Sequence, residues 1–255
     1  MLIMKNLLFI VFFIISTVLC AEKAEYSALK FLETVRHPPG RECWASMEGK
    51  ATHQRRGKPL LEALLYLGIR FTPERTIAQV VVNNSEAYYV GQAYSASGEA
   101  ASVIPANKTG YEKSILADFG IRPQDLTMTF LFWDLVKELE KDTVKGRDCR
   151  VFLLSSKDKS ELARVSISAE YFFPLRVEWF NNSETVSNGK PYRTLEISSF
   201  RRENDFWLVS SLLIYGPGWQ TKIDFDETHA GFKDEAPPAN LFREIKGTEK
   251  KSAVQ

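Results

Sequence analysis

The sequence predicts a mainly β fold, α+β in class, in which an antiparallel sheet carries a few short helices. Three observations carry this expectation. From Cys43 the apolar period changes to two, as where Leu65, Leu67, Ile69 and Phe71 alternate with Tyr66, Gly68 and Arg70. From Val144 onward, strand-like segments follow one another at turn-length spacing, which makes neighbours antiparallel. The 17 Phe, 9 Tyr and 5 Trp in 255 residues suit pleated, half-buried surfaces and apolar pockets.

The chain opens on Lys5 and a nearly unbroken apolar run, Leu7 to Leu19, with Ser16, Cys20 and Ala21 near its end. A positive charge, a short apolar core and a small-residue boundary describe a secretory leader over residues 1–20. A membrane span would need about twenty apolar residues. Two cleavage frames are open, one using Val18 and Cys20, the other Leu19 and Ala21. A lipid anchor on Cys20 is disfavoured, because Leu19 stands where a lipoprotein leader wants Gly, Ala or Ser. The expected product is soluble and exported, which sets aside kinases, synthetases and nicotinamide enzymes.

Residues 22–35 place Tyr26, Leu29, Leu32 and Val35 at helical spacing, and His37-Pro38-Pro39-Gly40 stops that helix. After the strand ending at Phe71, Thr76 to Val82 reads as its return. Asn83-Asn84-Ser85 is a turn and Glu86 to Tyr94 a further strand. Residues 95–110 are small and polar and read as a loop or flap. Glu112 to Phe119 forms a weak helix ended by Gly120. A second helix is expected over 125–137, with Asp125 as N-cap and Phe130, Trp133 and Lys137 sharing a face with Leu126. Strands are then expected at 147–155, 161–168, 175–181, 192–200, 206–215 and 219–225. Leu241-Phe242, behind two prolines, should dock on the sheet end, and residues 247–255 form a charged, disordered tail. No repeat or linker divides residues 21–246, which read as one β domain.

Without the leader, Lys5 is lost and Lys+Arg falls from 33 to 32, equal to Asp+Glu at 32. That balance removes the electrostatic case for nucleic acid. Cys43 and Cys149 could form one disulfide in an oxidising compartment, worth about 4–5 kcal/mol in the chain-entropy model, or each thiol could be separately buried. Asn83, Asn107 and Asn181 each head an N-x-S/T triplet. His37, His53 and His229 lie far apart and read as surface residues rather than metal ligands. The sequence holds no H-E-x-x-H, C-x-x-C, G-x-S-x-G or glycine-rich phosphate loop, so no catalysis, cofactor or metal is expected. Glu170, Glu178, Glu196, Asp224 and Asp226 lie on or beside strands. They could hide a glycosidase pair, although a solvated strand face explains them better.

The positive signal is apolar. Val151 to Leu154 and Leu212 to Tyr215 are hydrophobic on both faces, which implies a sandwich or a curved sheet with its hollow side covered. If helices supply the cover, an apolar pocket lies between; a fully packed core fits as well, and the pattern taken alone favours it.

Several segments carry a likeness to a known family: Asp118-Phe119-Gly120, Asp125-Leu126-Thr127, Phe130 to Asp134, Val144 to Val151, Tyr171 to Trp179, and Trp219 to Ile223. In order and spacing they resemble the LolA/LolB-like superfamily, in its outer-membrane lipoprotein-sorting branch, over about residues 43 to 245. The resemblance implies a half-open antiparallel β-barrel whose concave apolar face is covered by short helices. It also implies a periplasmic carrier that holds acyl chains of a lipid or acylated lipoprotein. Inner- and outer-membrane envelope proteins would then be its further partners. The cavity candidates are Leu67, Ile69 and Phe71 from one strand, Phe130 and Trp133 from the cover, and Val177, Trp179, Leu195 and Ile197 from later strands. The family's carriers place an arginine directly before a proline at the cavity mouth. Here Arg70 precedes Pro73 by three residues and Arg75 follows it by two, so the pattern departs and assigns the role to neither, and Arg70, at a strand end, is the better candidate. The rival expectation is a non-catalytic envelope module of the same fold with a filled core.

Overall fold

The computed structural model describes residues 26–36, 42–94, 101–106, 114–187, 189–204, 206–235 and 237–245. The expected leader, the stop at 37–40, the triplet at Asn107 and the tail lie outside them. Two meanders build the sheet. The first contains β1 (Cys43–Arg55), β2 (Leu61–Phe71), β3 (Arg75–Val82), β4 (Glu86–Ala93) and β5 (Ser102–Pro105). The second contains β6 (Asp134–Val144), β7 (Arg147–Ser155), β8 (Leu162–Ser168), β9 (Pro174–Phe180), β10 (Arg193–Glu203), β11 (Phe206–Gly216) and β12 (Trp219–Phe232). β1 pairs with β12 from Cys43↔Phe232 to Arg55↔Trp219 and fuses the two. The result is one twelve-stranded antiparallel sheet, ordered β5-β4-β3-β2-β1-β12-β11-β10-β9-β8-β7-β6. Its edges, β5 and β6, do not pair, so the sheet stays open as a half-barrel, as the sequence leads one to expect.

Turn chemistry fixes the register of the hairpins. Lys145 and Gly146 both have positive φ, 51° and 75°, between paired Val144 and Arg147. That is the two-residue turn whose twist matches antiparallel strands. Pro217 and Gly218, with Gly218 at φ 79°, join β11 to β12 with Pro and Gly where a type II turn wants them.

The inward residues of β1–β4 and β7–β12 form one apolar cluster, which the short helices close from the hollow side. These are α1 (Ala28–Arg36), α2 (Ile115–Asp118), α3 (Pro123–Thr127) and a 3-10 turn, Thr129–Phe132. In α1, Phe31 and Leu32 are buried and Phe31 stacks on Phe152 of β7 at 5.6 Å. Each such side chain contributes about 1.5–3 kcal/mol by leaving water. A fourth short helix, α4 (Ser183–Ser187), buries nothing and simply fills the β9–β10 connection.

Several expectations are corrected. The α1 stripe is turned from the one expected: Leu29 and Tyr26 are exposed, while Phe31 joins Leu32 inside. The helix expected over 125–137 ends at Thr127, because Met128 takes a left-handed conformation, φ 54°. Trp133 is then extended and Asp134 begins β6. β6 gave no alternating signal because it is an exposed edge, D-L-V-K-E-L-E-K-D-T-V, whose charges guard it against pairing with another chain. Asp125 is not the N-cap; Arg122 holds that place and its backbone N–H donates to the Asp125 carboxylate at 2.6 Å. Residues 102–105 of the expected loop pair with β4 as β5. Leu241 is buried on the outer face of the sheet rather than at its end.

The cysteines are free, since five strands separate β1 and β7 in the sheet order. Both thiols are buried, and burial pushes their pKa up, which leaves them unreactive. Among the described residues no helix is long and apolar enough to cross a membrane.

Candidate functional site

The open side of the half-barrel holds a cavity of about 350 Å³. Gln92 and Ala101 bound it from the β4–β5 side. The β7–β8 loop, Ser156 to Glu161, bounds it from the other, and α3 with the 3-10 turn roofs it. Its apolar wall is Phe130, Phe132, Trp133 and Trp179; its polar rim includes Arg122, Asp125, Asp158 and Glu161. The volume falls at the small end of the range for ligand pockets, about 300–1,000 Å³.

Two ion-pair networks fasten the roof. Asp125 and Arg193 are 2% and 4% exposed along their side chains, and the carboxylate takes both guanidinium nitrogens. The Arg193 guanidinium also lies 4.5 Å over the Trp179 ring and donates to the Gly120 carbonyl at 3.1 Å. Phe130 meets the edge of the same Trp179 at 5.6 Å, so roof and wall share one aromatic contact. The second network is Arg122, Glu161 and Tyr192. Arg122 donates to both Glu161 oxygens at 2.9 Å and to the Tyr192 hydroxyl at 3.1 Å. Tyr192 in turn donates to Glu161. Burial raises the Glu161 carboxyl, but the hydrogen bonds from Arg122 and Tyr192 outweigh it and leave the group below the usual carboxylate range. Burial, then the hydrogen bond to Glu161, push Tyr192 up to about 12. Arg36 of α1 adds a third tie, donating to the carbonyls of Leu131 and Trp133 at 2.7 and 2.8 Å. Arg122, Asp125, Glu161 and Arg193 are therefore paired with one another, and the aromatic wall offers a ligand an apolar surface beside the polar rim.

Of the residues named from sequence, Phe130, Trp133 and Trp179 line this cavity. Leu67, Ile69, Val177, Leu195 and Ile197 are buried in the main cluster, and Phe71 packs against it half-buried. None of these six lines the cavity. Arg70 is exposed, pairs with Glu42 at 3.5 Å, and lines it no more than they do. Arg122, Asp125, Glu161, Tyr192 and Arg193 were not foreseen as site residues, because partners such as Asp125 and Arg193 stand 68 positions apart and leave no spacing to read.

Of the strand carboxylates, Glu178 and Glu196 meet arginines on the outer face, while Asp224 pairs with Lys222 at 2.9 Å. Glu178 takes Arg164 at 2.7 and 2.8 Å, and Glu196 takes Arg176 at 2.8 Å. A glycosidase needs two carboxyls facing one substrate, and these face cross-strand cations instead. Among the described residues no three His, Cys, Asp or Glu side chains converge as metal ligands do.

His53 departs from the surface reading. It is 2% exposed, with Phe119 and Trp219 against its ring at 5.7 and 5.9 Å. Thr221 donates its hydroxyl to the Phe119 carbonyl, so its oxygen accepts from His53 Nδ1–H at 2.8 Å. This contact ties the end of α2 to β1 and β12. Burial, then the Arg55 charge, lower the His53 pKa. The unfolded chain, near 6.5, therefore takes up a proton before the folded one as pH falls. The contribution is complete above that value and is lost as pH falls below it toward the folded pKa. Denaturant midpoints should thus drop between pH 7 and 5, and His53→Gln should flatten that drop; an unchanged slope would contradict the assignment.

The curled, open antiparallel sheet closed on its hollow side by short helices is the half-open barrel that the sequence resemblance implies. Solved structures agree. The chain is similar to a domain described as an outer membrane lipoprotein-sorting protein from Vibrio parahaemolyticus. That likeness is at 12% identity and TM-score 0.55, over 82% of this chain and 93% of the other. It is similar to a DUF1329 family protein from Desulfovibrio piger at 14% identity and TM-score 0.53, over 78% and 88%. A LolA superfamily protein from Nitrosomonas europaea matches at 11% identity and TM-score 0.48, over 80% and 94%. The first two establish the fold and nothing finer. No protein-family model matches the sequence, and no curated protein matches it by sequence.

Proposed function

We propose that this chain is an exported, non-catalytic carrier that holds an acyl chain of a lipid or acylated protein within a bacterial envelope. The observation that carries the reading is the cavity at the open side, with an aromatic wall under a roof whose charges are already paired. An acyl chain gains about 0.8 kcal/mol per buried methylene, so a carrier needs comparable burial and a route for release. The free edges of the sheet leave such a route. The secretory leader expected over residues 1–20 would take the chain to the periplasm, where it would work between membrane-bound donor and acceptor proteins.

A fluorescent fatty acid titrated into the mature protein tests this. Saturable uptake is expected, weakened at least tenfold by Trp133→Glu at the half-buried wall while the thermal midpoint stays within a few degrees. No uptake by the folded wild type would defeat the reading.

One observation favours a second reading, a protein-interaction module with a filled interior: Leu67, Ile69, Val177, Leu195 and Ile197 are packed in the core instead of facing free space. That module would show no uptake and would bring a protein partner down with it in a pull-down.

A further inference from the structure

The outer face of β2–β4, across the sheet from the main core, carries a second and smaller apolar cluster. On β2 the residues Leu65, Leu67 and Ile69 point inward, so Tyr66 and Gly68 point out. Cross-strand pairing sets them in two rows, Glu48–Tyr66–Val81–Ala87 and Gly68–Gln79–Tyr89. Residues 240–245 lie over these rows in no regular secondary structure, and side chains of the sheet hold them.

Each contact has the character of peptide recognition. A Cβ on Gly68 would stand 2.1 Å from the Leu241 carbonyl oxygen, so only glycine admits a backbone there. Tyr66 donates its hydroxyl to that same oxygen at 2.8 Å. Gln79, fully buried, uses its amide as a strand would use its backbone. Nε2 donates to the Arg243 carbonyl at 2.9 Å and Oε1 accepts from the Arg243 N–H at 2.7 Å. The Arg243 side chain has a socket: its guanidinium lies 3.6 Å over the Tyr66 ring and pairs with Glu48. Ile245, two residues on, is buried among Tyr66, Val81 and Ala87.

We propose that this face is a docking groove for an extended peptide carrying an arginine two residues ahead of an aliphatic residue. In this chain its own residues 240–245 fill the groove in cis. A partner segment of the same pattern displaces them and is read by the Gly68 gap, the Gln79 amide, the Tyr66–Glu48 socket and the Ile245 pocket. The tethered segment competes at an effective concentration in the millimolar range, so a partner binds measurably once the segment is weakened.

The test uses the full mature chain carrying Arg243→Glu and Ile245→Asp, and a labelled peptide of residues 237–245, followed by anisotropy. This variant should bind the peptide at least tenfold more tightly than wild type, and adding Gly68→Val should remove the gain. Failure of the folded variant to bind, or binding indifferent to Gly68→Val, would overturn the proposal. Should the variant not fold, hydrogen exchange of the wild type decides. Displaceability requires the Arg243 amide to exchange at least tenfold faster than the amides of β2 and β3; equal rates would overturn it. Fatty acid uptake on the opposite face should be unchanged throughout, so this proposal and the carrier reading fail separately.

Discussion

Asp125→Ala is expected to destabilise the protein by about 3–5 kcal/mol, the usual cost of stranding one member of a buried ion pair. Arg193 would remain at 4% side-chain exposure with its charge uncompensated, and its Nε already lacks a partner among the described residues. The same substitution removes the acceptor for the Arg122 N–H at the start of α3. Replacing both Asp125 and Arg193 by leucine should cost clearly less than either single change, because no orphan charge is then buried. Urea denaturation of the wild type, Asp125→Ala, Arg193→Leu and the double leucine variant measures this. A loss below about 1 kcal/mol in Asp125→Ala would mean that water reaches the pair and that the roof is not fastened as described.

Trp179→Ala should cost a similar amount, about 3–5 kcal/mol, by the transfer and cavity terms together. Trp179 is 1% exposed, lies beneath Arg193 and meets Phe130 edge-on. The substitution opens the cavity wall into the core, so on the proposed carrier function the stability loss should come with a change in the size of acyl chain preferred. Trp207→Ala is the matched control: that ring is 63% exposed and its loss should stay within about 0.5 kcal/mol. If the two substitutions cost alike, the wall is not packed as the structure has it.

What could be read in the sequence follows burial. β7 spans Arg147–Ser155 as expected, and β8 to β11 fall within a few residues of their expected limits, because apolar strands between turn residues announce themselves. β6 escaped, since an exposed charged edge has no buried face to impose a period. The roof was misjudged for a different reason. A single left-handed residue, Met128, ends the helix, and nothing in its side chain demands that conformation. At the site, the aromatic members Phe130, Trp133 and Trp179 were legible as large apolar residues near a helical cover. The ion pairs were not, because Arg122 and Glu161, or Asp125 and Arg193, meet only through the tertiary fold. Gly68 shows the same limit: in sequence it looks like a weak strand position, and only the approach of Leu241 explains it.

The most direct test is native mass spectrometry of the mature protein purified from its own envelope without detergent, followed by lipid extraction. A carrier should arrive with a stoichiometric acylated adduct, lost from Trp133→Glu at unchanged fold. A bare protein that also refuses added fatty acid would contradict the account.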